Sequence, residues 1–173
     1  MSEEKQCNPA SDIVSLALKA AQGQVGQAEQ PKGSNSGPMV DKYLRSVGLK
    51  PGFAWCQAFV YWCYEYAAEH LNKQNPALKT AGVQDCWNKV PHNRKILAAE
   101  ARRGAGKVLP GDQFILLFGK GTGHTGMVER VEGAVIYTIE GNSNNDGSRE
   151  GFEVVRHERS MNDVALQGFI RYA

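Results

Sequence analysis

The sequence lacks any long apolar run and any dense run of basic residues, and each absence excludes a class of protein. No stretch of the 173 residues approaches the roughly 20 apolar residues that a membrane-spanning helix needs. The 20 basic residues are offset by 18 acidic ones, which leaves a net charge of only +2. The sequence therefore predicts neither membrane insertion nor a dedicated nucleic-acid-binding protein.

We expect no secretory signal peptide, because the first residues are polar and include Glu3 and Glu4. We therefore expect synthesis in the cytoplasm, with some other route of release if the protein acts outside it. Residues 1–10 are predicted to be a flexible tail, and residues 11–173 a single domain.

Cysteine is scarce, and its spacing fits neither a CxxC metal site nor a disulfide framework. The four cysteines are Cys7, Cys56, Cys63 and Cys86. Cys56 and Cys63 would lie on one side of a helix two turns apart, roughly 10 Å at 1.5 Å per residue. This separation is too long for a disulfide, so we expect Cys56 to be a free thiol and predict no metal site.

The apolar pattern changes its period near Lys107, which predicts helices before that point and strands after it. Helical stripes begin near Ser11, Met39 and Cys56, with a short helix between Thr80 and Val90 and a helical turn from Ile96 to Ala101. Five later segments have strand character: 113–118, 124–131, 134–140, 152–159 and 166–172. Helices followed by an antiparallel sheet predict an α+β fold.

Cys56 stands where a nucleophile would be placed, at the predicted start of a helix that follows the turn at Pro51 and Gly52. The unpaired N–H groups and the positive end of the helix dipole stabilise a thiolate there. The alternative is that Cys56 is one more small buried side chain in an aromatic core, as free cysteines often are.

His124, Glu140 and Asn142 lie at the ends of two neighbouring predicted strands. A hairpin with its turn at Glu132 and Gly133 would place His124 beside Glu140. An imidazole can take the proton of a thiol near neutral pH, and a carboxylate can orient the imidazole. Each residue alone has an ordinary structural explanation, and it is their conjunction that indicates nucleophilic catalysis.

Four short motifs together resemble the CHAP family, the cysteine- and histidine-dependent amidohydrolases and peptidases of the papain-like group. The motifs are Trp55-Cys56-Gln57-Ala58-Phe59-Val60, Pro110-Gly111-Asp112, Gly123-His124-Thr125-Gly126-Met127-Val128 and Ile139-Glu140-Gly141-Asn142. The resemblance runs from about residue 29 to the C-terminus. It implies a papain-like fold, with helices packed on an antiparallel sheet, and makes residues 11–173 a CHAP-like catalytic domain.

The resemblance also implies roles for individual residues. Cys56 is the expected nucleophile, His124 the general base and then acid, Glu140 the orienting residue and Asn142 a supporting polar residue near the histidine. Some family members bind calcium through acidic residues just before the cysteine. Residues 49–54 contain no carboxylate, so we expect no calcium site and no cofactor.

The substrate implied by the resemblance is peptidoglycan, cleaved at an N-acetylmuramoyl-L-alanine amide or at a peptide bond. Trp55 and Asn35 are candidate substrate-binding residues, although Trp55 could equally be core. We expect a monomer without a separate wall-binding module, acting in the periplasm or cell wall as a released lysin or a delivered toxin, with a possible delivery or immunity partner. The alternatives are a catalytically silent module that binds wall peptides or a protein, and a cysteine protease or acyltransferase with a non-wall substrate.

Overall fold

A computed structural model describes residues 9–143 and 151–172, and Cys7 lies outside these ranges. Within these ranges, five α-helices occupy mainly the N-terminal part: α1 (Pro9–Gln24), α2 (Val40–Ser46), α3 (Cys56–His70), α4 (Val83–Lys89) and α5 (Ala98–Arg102). A single 3-10 turn, His92–Arg94, precedes the first strand. No helix among the described residues is long and apolar enough to cross a bilayer.

In the described part of the chain, six strands form one antiparallel sheet in the order β1-β6-β2-β3-β4-β5. They are β1 (Lys95–Leu97), β2 (Gln113–Gly119), β3 (Thr122–Glu132), β4 (Val135–Ser143), β5 (Glu153–Ser160) and β6 (Leu166–Ile170). The middle of the sheet is therefore built from β2, β3 and β4. These are the strands that carry the predicted histidine and glutamate.

Helix α3 is the centre of the main core, because it packs against α1 and α2 on one side and against β3 and β4 on the other. Ten of its fifteen residues are buried. Apolar or aromatic side chains lie on most sides of this helix and are not confined to one face. Tyr43 of α2 contacts the rings of Trp55, Phe59 and Trp62 around the start of this helix. The first turn of α3 is therefore held from several directions.

The predicted helix–strand division is confirmed, and the differences are local. Helix α1 begins at Pro9, two residues before the predicted start, and β4 continues to Ser143. Residues 95–97, of which Ile96 was placed in a helical turn, instead form the edge strand β1 on β6. A run of three residues is too short to show either period clearly, so pairing with β6 decides its conformation.

Candidate active site

Cys56 is the first residue of α3, as the sequence predicts. Its side chain is buried apart from about 8% of its surface. The residue before it, Trp55, donates its backbone N–H to Oδ1 of Asn142 at 3.1 Å. Asn142 adopts a φ of 54°, a left-handed conformation that asparagine tolerates better than most residues. Asn142 thus ties the end of β4 to the start of the cysteine helix.

His124 and Glu140 meet across the β3–β4 hairpin. Met127 lies opposite Ile139 in this pair of strands, and the turn falls at Gly133 and Ala134, one residue later than predicted. The Nε2 atom of His124 is 2.7 Å from Oε2 of Glu140, and both residues are almost fully buried. The expected contact between the imidazole and the carboxylate is therefore present.

Gly126 provides the space for this diagonal contact. A Cβ atom at this position would lie 2.6 Å from the carbonyl oxygen of Ile139, 2.8 Å from Cγ of Glu140 and 2.9 Å from Cε1 of Phe114. All three distances are shorter than an ordinary carbon contact. Because position 126 has no side chain, the carboxylate of Glu140 can pass beside β3 to reach His124.

Replacing Gly126 by alanine should destabilise the protein by about 1–3 kcal/mol, since the added methyl group overpacks this junction and pushes Glu140 away from His124. Denaturant unfolding would measure the loss. The control is Gly23→Ala, where a Cβ meets nothing within 4 Å in α1 and a gain of up to about 1 kcal/mol is expected. Equal stability of Gly126→Ala and the unmodified protein would contradict the steric argument.

Glu140 is completely buried and accepts hydrogen bonds from four side chains. Besides His124, these donors are Thr138 at 2.7 Å, Ser143 at 3.2 Å and Arg159, whose Nε and Nη2 lie 2.6 and 2.7 Å from the two carboxylate oxygens. Burial acts to raise the pKa of Glu140, but the hydrogen bonds from Arg159 and His124 outweigh it and hold the pKa well below its ordinary value. Glu140 therefore stays ionised.

His124 is held in its protonated form by its two acidic neighbours. Burial acts to lower its pKa, yet side-chain hydrogen bonds with Cys56 and Glu140, and their charges, raise the pKa to about 9. Since Nε2 faces Glu140, the bond to Cys56 falls to Nδ1. Cys56, His124, Glu140 and Arg159 thus form a row in which the charged His124 and Arg159 flank the ionised Glu140 and the thiol of Cys56 lies on the other side of His124.

An open groove of about 490 Å³ gives access to the cysteine and the histidine. Its described walls combine the loop around Gly33 and Asn35, the segment Ala81–Val83 and the start of β3. Most of these residues are small, so an extended chain can approach Cys56 closely. The arrangement suits attack by a thiol on a carbonyl group of a polymer or peptide.

The two predicted substrate-binding residues differ in position. Asn35 borders the groove, so its amide remains a candidate for contact with a ligand. Trp55 is completely buried, stacks on Tyr43 and donates its indole N–H to Glu29. The idea that Trp55 offers a flat face to substrate is therefore wrong, and the alternative of core packing holds, because the ring has no exposed surface and stacks on Tyr43.

The other described cysteines lie in the core and have no access to the groove. Cys63 and Cys86 are completely buried and free. Burial raises the pKa of the Cys63 thiol well above its ordinary value and that of Cys86 to about 11. Cys56 is thus the cysteine of the described chain that lines the groove beside a histidine.

No group of three or more potential metal ligands occurs among the residues that the structure describes.

Arg159 and Glu29 are the site residues that sequence reasoning missed. Strand alternation places Arg159 on the same face as Glu140, but Arg156 on the same strand points to the other face and pairs with Glu129. A one-residue change of register exchanges the two faces. The sequence therefore contains two candidate arginines without a means of choosing between them.

Comparison with known proteins gives one family and a fold. A model of the CHAP domain family matches residues 48–142, more than half of the chain. Two solved structures are similar: the wild-type endolysin LysIME-EF1, with a TM-score of 0.55 and 15% identity, and Ly7917, with 0.51 and 18%. Both alignments cover 91% of this chain. No curated protein matches significantly.

The likeness to these structures confirms the predicted α+β, papain-like fold. The alignments cover only 63% and 61% of the two solved chains, so this chain spans about three fifths of their length. Within the matched segment lie Cys56, His124, Glu140 and Asn142.

Proposed function

The chain belongs to the CHAP domain family, and we propose that it hydrolyses an amide bond of bacterial peptidoglycan through a thioester on Cys56. The observation that carries this proposal is the buried row formed by Cys56, His124, Glu140 and Arg159 at the floor of an open groove. The names of the similar structures include an endolysin, which supports a cell-wall substrate. A catalytically silent binding module would have no need of such a row.

The first half of the proposed reaction is acyl transfer to sulfur. The Cys56 thiolate attacks the amide carbonyl carbon, and the carbonyl oxygen becomes an oxyanion facing the backbone N–H groups at the start of α3. The carbon–nitrogen bond then breaks as His124 gives its proton to the leaving amine. Cys56 is left as a thioester and His124 as a neutral imidazole.

The second half releases the enzyme. A water molecule takes the place of the amine, and His124 removes its proton while its oxygen attacks the thioester carbon. The carbon–sulfur bond breaks, the product leaves as a carboxylic acid, and the thiolate–imidazolium pair is restored. Glu140 keeps the same ring nitrogen hydrogen-bonded throughout, so the imidazole can exchange its other proton without rotating.

The scissile bond is either the N-acetylmuramoyl-L-alanine amide or a peptide bond of the stem or cross-bridge. Purified protein should be incubated with isolated peptidoglycan and the soluble fragments identified by mass spectrometry, with the Cys56→Ala variant as the control. Free lactyl groups on the glycan identify an amidase, and a new amine within the peptide identifies an endopeptidase. If no Cys56-dependent fragments form from several wall types, the proposal is wrong.

The proposed place of action is the cell wall or periplasm, reached by release through a permeabilised membrane or by delivery from another cell. This rests on the expected substrate, which lies outside the cytoplasmic membrane. Recovery of wall fragments only after the protein is added from outside to intact cells, or only after its expression in the periplasm, would distinguish the two routes.

The rate of hydrolysis should fall on the alkaline side with a midpoint near pH 9. His124 has a pKa of about 9, so above that pH it no longer carries the proton that the leaving amine requires. The midpoint is a property of the coupled Cys56–His124 pair. Initial rates between pH 6 and 10.5, together with an NMR titration of the His124 ring, would measure it.

The Cys56→Ala variant is the control for this titration, because loss of the Cys56 side chain removes one of the two groups that raise the pKa of His124. Its ring should titrate at a lower pH than in the unmodified protein. If the rate of hydrolysis by the unmodified protein instead fell with a midpoint near pH 6.5, the ordinary pKa of histidine, the charge arrangement described above would be contradicted.

A further inference from the structure

Glu29 is a buried acid on the loop that follows α1, and its bonds come from neutral groups. About 5% of its surface is exposed. Its Oε1 accepts the indole N–H of Trp55 at 2.9 Å, and its Oε2 accepts the backbone N–H of Gly33 at 2.8 Å. Both oxygens of the side chain therefore act as acceptors from N–H groups.

Glu29 is one of the residues that line the groove that holds Cys56 and His124. Its anchor, Trp55, directly precedes Cys56 in the chain. A group of the substrate that reaches Glu29 is therefore bound in the same groove as the carbonyl carbon that Cys56 attacks. The mechanism proposed above assigns no part to Glu29.

Glu29 has no ion-pair partner among the described residues, and the one cation among those that line the groove, His124, is hydrogen-bonded to Glu140 instead. None of those residues is a lysine or an arginine, and the described chain contains no ion pair to Glu29 within 4 Å. A buried carboxylate without a cation carries a desolvation cost that a cationic ligand would offset.

We propose that Glu29 binds a primary ammonium group of the substrate and so selects an amine-bearing peptide. Each oxygen of the carboxylate retains a further lone pair, and an ammonium group has three N–H donors. In stem peptides such a group is either the α-amine of an N-terminal alanine or the ε-amine of a diamino acid. The inference rests on the proposed function. Recognition of the α-amine would favour cleavage of a peptide over cleavage of an intact lactyl amide, whereas recognition of the ε-amine is compatible with both.

The test measures binding without turnover, in the Cys56→Ala protein. Calorimetry compares the tetrapeptide L-Ala-D-isoGln-L-Lys-D-Ala with its Nα-acetyl and Nε-acetyl forms. Acetylation of the recognised amine should weaken binding about tenfold or more, since it leaves a buried charge without its partner. The derivative that loses affinity identifies which amine is bound. If neither acetylation weakens binding, or the unmodified peptide does not bind, the proposal is overturned.

A second pair of variants separates the charge of Glu29 from its role in holding the loop. In the Cys56→Ala background, Glu29→Gln should bind the free and acetylated peptides equally. The matched control is Trp55→Phe, which removes the indole donor to Glu29 but leaves the carboxylate, and it should keep the tenfold discrimination. Retained discrimination in Glu29→Gln, or its equal loss in Trp55→Phe, would overturn the proposal.

These binding measurements are independent of the digestion of peptidoglycan. Amine discrimination without Cys56-dependent fragments would leave the Glu29 site standing and refute the proposed hydrolysis. Cys56-dependent fragments without amine discrimination would support the proposed hydrolysis and refute the Glu29 site.

Discussion

Replacement of Cys56 by alanine should lower the rate of peptidoglycan hydrolysis by about 10⁵-fold or more, because removal of a catalytic nucleophile costs this much in comparable enzymes. The fold should survive. The side chain sits at the start of α3 with part of its surface exposed to the groove, so truncation to alanine removes a single atom from the edge of the core. Release of soluble fragments gives the rate, and circular dichroism with thermal unfolding checks the fold.

The matched control is Cys63→Ala, which removes the same atom from the same helix two turns away. Cys63 is completely buried and plays no part in the site, so this variant should keep the wild-type rate and lose about 1 kcal/mol of stability from the small cavity. A Cys56→Ala protein that still hydrolyses peptidoglycan, or a Cys63→Ala protein that is folded but inactive, would contradict the assignment of the nucleophile.

Arg159→Met should destabilise the protein by about 3–5 kcal/mol, which is the usual cost of removing one partner of a buried ion pair. Glu140 is completely buried, and only 13% of the Arg159 side chain is exposed. Without the guanidinium, the carboxylate keeps its desolvation cost and loses the two hydrogen bonds, of 2.6 and 2.7 Å, that Arg159 donates. Denaturant unfolding at pH 7 would measure the loss.

The loss should also depend on pH in a defined direction. In the unmodified protein the pKa of Glu140 is lowered from 4.5, so its contribution to stability is present above that value and is lost as the pH falls through the lower pKa of the folded state. The difference in the free energy of unfolding between Arg159→Met and the unmodified protein should therefore become smaller below pH 4.5. If this difference stays constant from pH 7 to pH 3, the destabilisation comes from lost packing and not from lost charge.

Arg156 offers the control for this experiment within the same strand. It forms a comparable ion pair with Glu129, but 56% of its side chain is exposed, and exposed pairs contribute about 0–1 kcal/mol. Arg156→Met should accordingly be nearly neutral. If Arg159→Met costs no more than Arg156→Met, Arg159 does not hold Glu140. Arg159→Lys should recover part of the stability, since it restores the charge but not the two-pronged geometry.

Most of the site could be predicted because its residues follow local rules. Cys56 was found from a turn followed by a helical stripe, and the pairing of His124 with Glu140 from a short hairpin whose strands alternate. The error of one residue in the turn did not matter, because Gly126 lets Glu140 reach His124 diagonally. Strand β1 was missed because three residues contain too little pattern.

Arg159, Glu29 and the burial of Trp55 required the tertiary structure. Each depends on which of several similar groups meet when the helices pack on the sheet. Either Arg159 or Arg156 could have paired with Glu140. Likewise, Glu29 could have faced solvent instead of the indole of Trp55, and that ring could have lain on the groove instead of in the core. Such contacts join residues that are far apart in the chain, and a shift of register by one residue reverses them.

The sequence by itself determined the order of helices and strands, the cysteine at a helix start and the histidine–glutamate hairpin, because these depend on periodicities and turns within a few residues. Only the tertiary structure decided which charges surround Glu140 and which carboxylate lies in the groove wall. The physical reason is that charge compensation in a buried site depends on distances of a few ångströms between separate elements, and local pattern does not encode those distances.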